Sequence, residues 1–584
     1  MPSVPTDHSS QIPHQPQQTS SSRPPEPASN APDESKYGLA RAVFGASVGT
    51  VVLCLAFALI LPHQFNAVIG AVNTVIVNSI GWYYVLIVTG FVVFGLVVAF
   101  SKLGTVKLGN DDDEPEYGVF PWFAMLFAAG MGIGLVFWGA AEPLKYLTQQ
   151  WTPPGTANLS PSGHAQRALT QTFLHWGIHA WAIYVVVGLA VAYATHRRGR
   201  PISIRWALEP VLGRYTNSWI GDLIDISAVV GTLFGVATSL GFGVNQITAG
   251  LAHLGLVPDN AMVKIIIVIV ITALAILSVV SGLDKGIKLL SNTNMGLAAL
   301  LLVAVLVLGP TLILLREFVS GIGSYIQNFV QLSFQTFPFN GEAGETWLAN
   351  WTTNYWGWWI SWSPFVGVFI ARISRGRTVR EFIVGVLLVP TLVTVLWFTV
   401  LGGTAIYQQL FEGKGLISDG NVDVNTVLFD MLNNLPGGPV LSGLAIILVT
   451  IFFITSADSG AFVVDMIAHR GDPQPPRLTR FIWAAASGGI AAVLIGISAT
   501  HGEDTSGMSA LQALTLLAAA PFSVVMIGMC LSVLRSLKRD VLRIEKAERA
   551  VIRRELVEHV ADQLDVAPPP RPKQLRIALR RRHK

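Results

Sequence analysis

Charge is what this chain most lacks. Only 13% of its 584 residues are Asp, Glu, Lys or Arg, against about 25% in soluble domains. Over half of it, 52%, is apolar, and the mean hydropathy is +0.53. Lipid is therefore the expected solvent for most of the sequence. Cysteine is nearly absent too. Cys54 and Cys530 lie in separate apolar runs, which excludes a disulfide framework and a thiolate zinc site. No metal-ligand cluster, no nucleophile beside a base and no phosphate-binding loop stands out. The chain is thus not expected to be an enzyme, to hold a cofactor or to bind nucleic acid. Apolar sequence begins only near residue 40, so no cleavable signal is expected. The leader, residues 1–39, is rich in Pro, Ser and Gln and cannot bury a core. It is expected to be a disordered cytoplasmic segment.

What is present is a series of long apolar runs. A membrane helix needs about 20 such residues. Twelve runs qualify: 40–61, 82–101, 121–142, 172–195, 220–250, 263–282, 294–315, 353–373, 381–407, 439–465, 479–499 and 509–535. The expected fold class is an all-α integral membrane protein. Basic residues mark cytoplasmic loops, and here they alternate. HRRGR at 196–200, DKGIK at 284–288, ARISRGRTVR at 371–380 and the trio Arg470, Arg477 and Arg480 follow spans four, six, eight and ten. Residues 62–81 contain no Lys or Arg, and HGEDTSG at 501–507 is acidic. Twelve spans with both termini inside satisfy every loop.

Three segments lie outside these runs. Residues 316–350 read either as an interfacial amphipathic helix or as an outside loop. Residues 408–438 read as loop. The tail 536–584 reads as a charged helix ending in PPPRPK and RIALRRRHK. That tail is either simply solvated or a basic arm that touches anionic lipids.

Within the spans, three motifs carry chemistry. GMGIG at 130–134 loosens a helix that lipid would otherwise keep regular. Such a break exposes carbonyls to a cation, although Gly130 and Gly134 at GxxxG spacing also suit close helix packing. The eighth span reads NYWGWWISWSPFVG, with Trp358, Trp359 and Trp362 at helical spacing before Pro364, and the fourth reads HWGIHAWAIY, with Trp176, Trp181 and Tyr184. Membrane tryptophans usually sit at interfaces, but Trp181 and Tyr184 fall near mid-span. Aromatic faces at one depth suit a quaternary ammonium, which has no hydrogen to donate. The tenth span contains FFITSADSG, in which Thr455 and Ser456 place hydroxyls in an apolar run. They either bond back to their own helix or join loosened carbonyls in an all-oxygen sodium site. Asp458 is read as structural, paired with the nearby arginines. Glu142, beside Pro143, is read as facing water or capping a neighbour.

Together, AAGMGIG…EP, HWGIHAWAIY, WWISWSPFVG with ARISRGR, and FFITSADSG resemble the betaine/choline/carnitine transporter family from about residue 40 to about 535. The resemblance is closest to sodium-coupled glycine betaine symporters of Gram-positive bacteria. It implies a LeuT-like fold: two N-terminal helices, then two inverted five-helix repeats at about 121–315 and 353–535. It implies a substrate site of Trp176, Trp181, Tyr184 and Trp359, with Trp358 and Trp362 beside them and Trp356 toward the cytoplasm. Gly130, Met131, Gly132 and Gly134 would line it. One sodium would be held by Ala128, Met131 and Phe452 carbonyls with the Thr455 and Ser456 hydroxyls, and a second at Ala129, Thr232 and Phe365. Val236 stands where a further threonine of that second site is expected. A homotrimer in the cell membrane is also implied, with osmotic sensing through the C-terminal helix. Gly134 replaces an aspartate often found in choline-transporting relatives and suits a zwitterion. The expected function is sodium-driven import of glycine betaine, ectoine or proline for osmoprotection. The alternative is sodium-independent carnitine or betaine exchange, or proton-coupled choline uptake.

Overall fold

The computed structural model describes residues 38–130, 132–148, 159–281, 284–500 and 506–564. Among them there is no strand, only isolated bridges at Lys107–Thr378 and Ser418–Asn421. The helices follow the apolar runs. Helices α1 (Arg41–Ile60), α2 (Pro62–Phe100), α3 (Val119–Gly130), α4 (Ile133–Thr148), α5 (Pro161–Trp176) and α6 (Ile178–Ala192) come first. Then come α7 (Trp219–His253), α8 (Ala261–Ser281), α9 (Asp284–Leu308) and α10 (Thr311–Ser333). Last are α11 (Asn354–Arg372), α12 (Val379–Leu410), α13 (Gly438–Ala468), α14 (Arg477–Thr500) and α15 (Ser506–Gln563), with shorter helices between.

Ten helical segments among the described residues are long and apolar enough to cross a membrane. The third and eighth expected spans are not among them, for different reasons. The third is divided: α3 stops at Gly130 and α4 starts at Ile133, leaving pieces of 12 and 16 residues. The eighth, α11, is 19 residues long and carries Asn, Ser, Trp and Arg. Every residue of α11 from Tyr355 to Val368 is buried against other helices, so lipid makes no demand on its hydropathy. Glycines allow that enclosure. A Cβ on Gly367 would lie 2.6 Å from Val187 Cγ1, and one on Gly188 3.4 Å from the Gly367 carbonyl, so α6 and α11 touch backbone to backbone.

Prolines and glycines shape the spans locally. Pro364 cannot donate to the Ile360 carbonyl one turn earlier. Ser363 Oγ donates to that carbonyl instead, at 2.7 Å, and α11 continues unbroken. Gly177 separates α5 from α6. A side chain there would meet the Phe173 carbonyl, and the Tyr325 hydroxyl at 2.9 Å, and the freed Ile178 N–H donates to that hydroxyl at 3.2 Å.

Several expectations are corrected. Residues 62–81 are helical and extend α2 to 39 residues. The seventh span ends at Leu308, before Gly309 and Pro310, and α10 forms the helix expected within 316–350. Part of 408–438 is helical at Val427–Asn433, where Val427, Leu428, Phe429, Met431 and Leu432 are buried. The last span and the charged tail form one 58-residue helix, α15. Its charged part meets protein: Asp540 accepts from the Tyr193 hydroxyl at 3.0 Å and from Arg197 Nε at 2.8 Å, and Lys102 pairs with Glu545 at 2.8 Å. The leader through Tyr37 and the PPPRPK end lie outside the described residues.

Candidate functional site

The aromatic residues singled out in α5, α6 and α11 converge. The ring centroids of Trp176 and Trp359 are 4.8 Å apart, those of Trp358 and Trp359 4.6 Å, and those of Trp181 and Tyr184 5.5 Å. Tyr184 reaches Trp359 at 6.4 Å, and Trp358 reaches Trp362 at 6.4 Å. All lie within the protein. The seven candidates are 2–7% exposed, whereas Trp82 and Trp219 are 57% and 72% exposed, as an interfacial belt requires. The ends of α5 and α11 supply the geometry. Trp176 is the last residue of α5 and projects from the kink at Gly177. Trp358, Trp359 and Trp362 share a face of α11.

Trp356 is the exception. It stacks on His179, with centroids 5.5 Å apart and planes at 16°, and it meets His175 at 5.8 Å. It lies near the start of α11, about 24 Å of helix from Arg372. Trp356 thus lies at the end of α11 remote from the ARISRGR loop.

The interrupted helix approaches these rings. A Cβ on Gly134 would lie 2.7 Å from Trp358 Cη2 and 3.1 Å from Trp176 Cη2. Gly132 lies in the break itself. Met131 lies outside the described residues, and for Ala128, Ala129 and Gly130 only the helical backbone is described. The helix that carries the hydroxyl pair, α13, contacts α4. Ile133 opens α4 and Phe453 precedes the pair by two residues. A Cβ on Gly243 would touch both, at 3.0 Å from Ile133 Cδ1 and 3.3 Å from Phe453 Cδ2.

Thr455 Oγ1 donates to its own helix, to the Ile451 carbonyl at 2.9 Å and the Phe452 carbonyl at 3.2 Å. A hydroxyl that donates this way keeps its lone pairs for a cation. The Thr455 hydroxyl and the Phe452 carbonyl are thus bonded to each other within α13. At the expected second site, Thr232 Oγ1 is buried without a hydrogen-bond partner among the described residues. Phe365 stands beside Trp362, 5.8 Å between centroids. Val236 turns to α13 instead, since a Cβ on Gly460 would lie 2.9 Å from its Cγ2. Asp458 pairs as read, with Arg480 at 3.7 Å and the Ser278 hydroxyl at 3.1 Å.

Sequence reasoning missed the residues that hold the rings. Glu142 is fully buried and neither faces water nor caps a helix. Its Oε2 accepts from Trp176 Nε1 at 2.6 Å and from the Tyr355 hydroxyl. Its Oε1 accepts from the Tyr146 hydroxyl at 3.0 Å and lies 3.0 Å from His175 Nδ1. The His175 carbonyl in turn accepts from Trp359 Nε1 at 2.9 Å. The signal in the sequence was Glu142 itself, a carboxylate in an apolar helix. A cavity of about 750 Å³ reaches Tyr355 and Trp358 and is also lined by Lys145, Glu342 and Glu345.

The chain is 46% identical over 512 residues to an uncharacterized transporter of Mycobacterium tuberculosis, covering 88% of this chain and 85% of that one. It is 44% identical over 513 residues to the glycine betaine transporter OpuD of Bacillus subtilis, covering 87% and 96%. It is 43% identical over 500 residues to glycine betaine transporter 1 of Vibrio parahaemolyticus, covering 85% and 94%. The solved structure of a substrate-bound, outward-open Na+-coupled sialic acid symporter aligns with 78% of this chain and 86% of its own at 14% identity. Its TM-score is 0.41, too slight a likeness to carry an argument. Residues 42–542 match the model of the betaine/carnitine/choline family transporters, and this chain belongs to that family, as a multi-pass membrane transporter and not an enzyme.

Proposed function

We propose that this protein imports glycine betaine, or a related compatible solute such as ectoine or proline, together with sodium. The observation that carries the reading is the cage. The N–H edges of Trp176 and Trp359 are tied back by Glu142 and by the His175 carbonyl, which leaves ring faces for a trimethylammonium. Contact of that kind is worth about 2 kcal/mol or more once water is excluded. The names of the Bacillus and Vibrio relatives support the substrate class, as does a relative named for glycine betaine, proline, choline and ectoine. Gly134 adds no charge beside the rings, which favours a substrate that carries its own carboxylate.

Sodium coupling would use the oxygens of Phe452, Thr455 and Ser456 on α13, a helix in contact with α4, with Ala128 and Met131 completing the set. Thr232, with Ala129 and Phe365, makes a second site in which Val236 supplies no oxygen. The energetics agree. A thousandfold accumulation costs about 4.1 kcal/mol. One sodium crossing 100 mV contributes about 2.3 kcal/mol, and a tenfold gradient about 1.4 more. One ion thus nearly suffices and two exceed the need.

The chain is further proposed to have twelve spans in two inverted repeats, cytoplasmic termini and a trimeric assembly in the cell membrane. The cavity over Trp358 is the outer vestibule. In proteoliposomes, labelled betaine uptake is expected to fall by about tenfold or more when external sodium is replaced by potassium, since 1.4 kcal/mol is a factor of ten. Equal uptake in both media would reject symport, and dependence on internal substrate or on pH would point to the exchanger or to proton-coupled choline uptake.

The charged tail is proposed to set the response to osmotic stress, for which the protein contacts of Asp540 and Glu545 provide a mechanical link. Ending the chain at Arg539 is expected to flatten the dependence of uptake on osmolality. An undiminished dependence in that truncated protein removes the tail from the mechanism.

A further inference from the structure

We infer that Glu142 is the positioning residue of the aromatic cage, holding Trp176 and Tyr355 by their polar edges so that their ring faces turn toward the substrate. The inference rests on the reading that these rings receive a quaternary ammonium. A fully buried carboxylate in a membrane helix is costly. A methionine or leucine would fill the same space without that cost, so volume does not explain it. Its oxygens do. They meet donors from three helices: Tyr146 on α4 itself, His175 and Trp176 on α5, and Tyr355 on α11. Two contacts to each oxygen fill the accepting capacity of a carboxylate.

The hold extends further through His175. His175 Nδ1 faces both Glu142 Oε1 and the Tyr146 hydroxyl, 2.9 Å away. Nε2 lies 3.1 Å from Thr352 Oγ1, on the π-helical turn Ala349–Thr353 that leads into α11. The carbonyl of the same histidine holds Trp359. The imidazole also stacks on Tyr355, with centroids 4.7 Å apart. Two indole N–H groups of the cage are therefore fixed from one acid, directly for Trp176 and through His175 for Trp359. Glu142 grips ring edges, not faces, and so acts through the rings.

The test compares Glu142→Met, Glu142→Gln and Tyr355→Phe with wild type. Folded transporter is quantified by size exclusion, sodium-driven betaine uptake gives apparent KM and maximal rate, and tryptophan fluorescence titration gives betaine binding. Glu142→Met is expected to raise the apparent KM and weaken binding about ten- to a hundredfold, the worth of charge-assisted bonds. Its maximal rate per folded transporter should stay within about threefold, since the loss is in binding. Glu142→Gln, which keeps one accepting oxygen, should fall between Met and wild type. Tyr355→Phe, which removes one donor, should have the smallest effect. Should the Met variant not fold, the other two decide by the same split. A wild-type KM in Glu142→Met, or a lowered maximal rate at unchanged KM in any variant, overturns the proposal. Wild type that takes up no betaine overturns the underlying reading instead.

Discussion

Replacing Gly134 with aspartate is expected to abolish efficient betaine uptake, raising the apparent KM about a thousandfold, while choline uptake is less affected. Two effects combine. The first is steric: a Cβ at this position meets Trp358 at 2.7 Å and Trp176 at 3.1 Å, and buried, stacked indoles cannot simply rotate away. The second is electrostatic. Two like charges about 4 Å apart repel by about 4 kcal/mol at an effective dielectric constant of 20. Betaine brings a carboxylate to the site, and choline does not. Gly134→Ala separates the effects, because its methyl group crowds the rings without charge and should penalise both substrates alike. Competition between labelled betaine and choline in proteoliposomes reads the ratio. A Gly134→Asp protein that keeps the wild-type preference for betaine would show that the glycine does not face the substrate.

Trp359→Ala is expected to raise the apparent KM for betaine about thirtyfold or more, the equivalent of a lost cation–π contact of about 2 kcal/mol. Trp359 joins the rings of α5, α6 and α11. It meets Trp176, Trp358 and Tyr184 within 6.4 Å and Tyr355 at 6.0 Å. Its removal also leaves the His175 carbonyl without its donor. A buried Trp→Ala change costs about 3–5 kcal/mol of stability in well-packed cores, so the amount of folded protein is measured in parallel. Trp359→Phe keeps a ring face and should lose less than the alanine variant. An unaltered KM in whatever folded Trp359→Ala protein remains would reduce this residue to packing.

The spans were legible because lipid imposes one rule on each of them. Ten of the expected runs lie on helices that qualify as spans by length and hydropathy, and α1, α7, α8 and α11 begin and end within three residues of the expected limits. The break at GMGIG was legible because glycine weakens a helix whatever surrounds it. The kink at Gly177 was written in HWGIHAW just as plainly, yet apolar continuity concealed it. Helicity in 62–81 and in Val427–Asn433 was concealed by the Asn, Asp and Gly residues nearby.

The role of Glu142 was out of reach for a different reason. Its partners His175, Trp176 and Tyr355 stand 33, 34 and 213 residues away. Periodicity along one helix cannot report them. From the sequence alone follow the solvent, the spans, the glycine interruption and the supply of rings and hydroxyls, because each depends on residue type and on neighbours a few positions away. Only tertiary packing decided that Trp176 and Trp359 meet, that Trp356 turns to His179, that Val236 packs on Gly460, and that one buried acid grips three helices. Those outcomes depend on distances between residues that the chain keeps far apart until its helices pack.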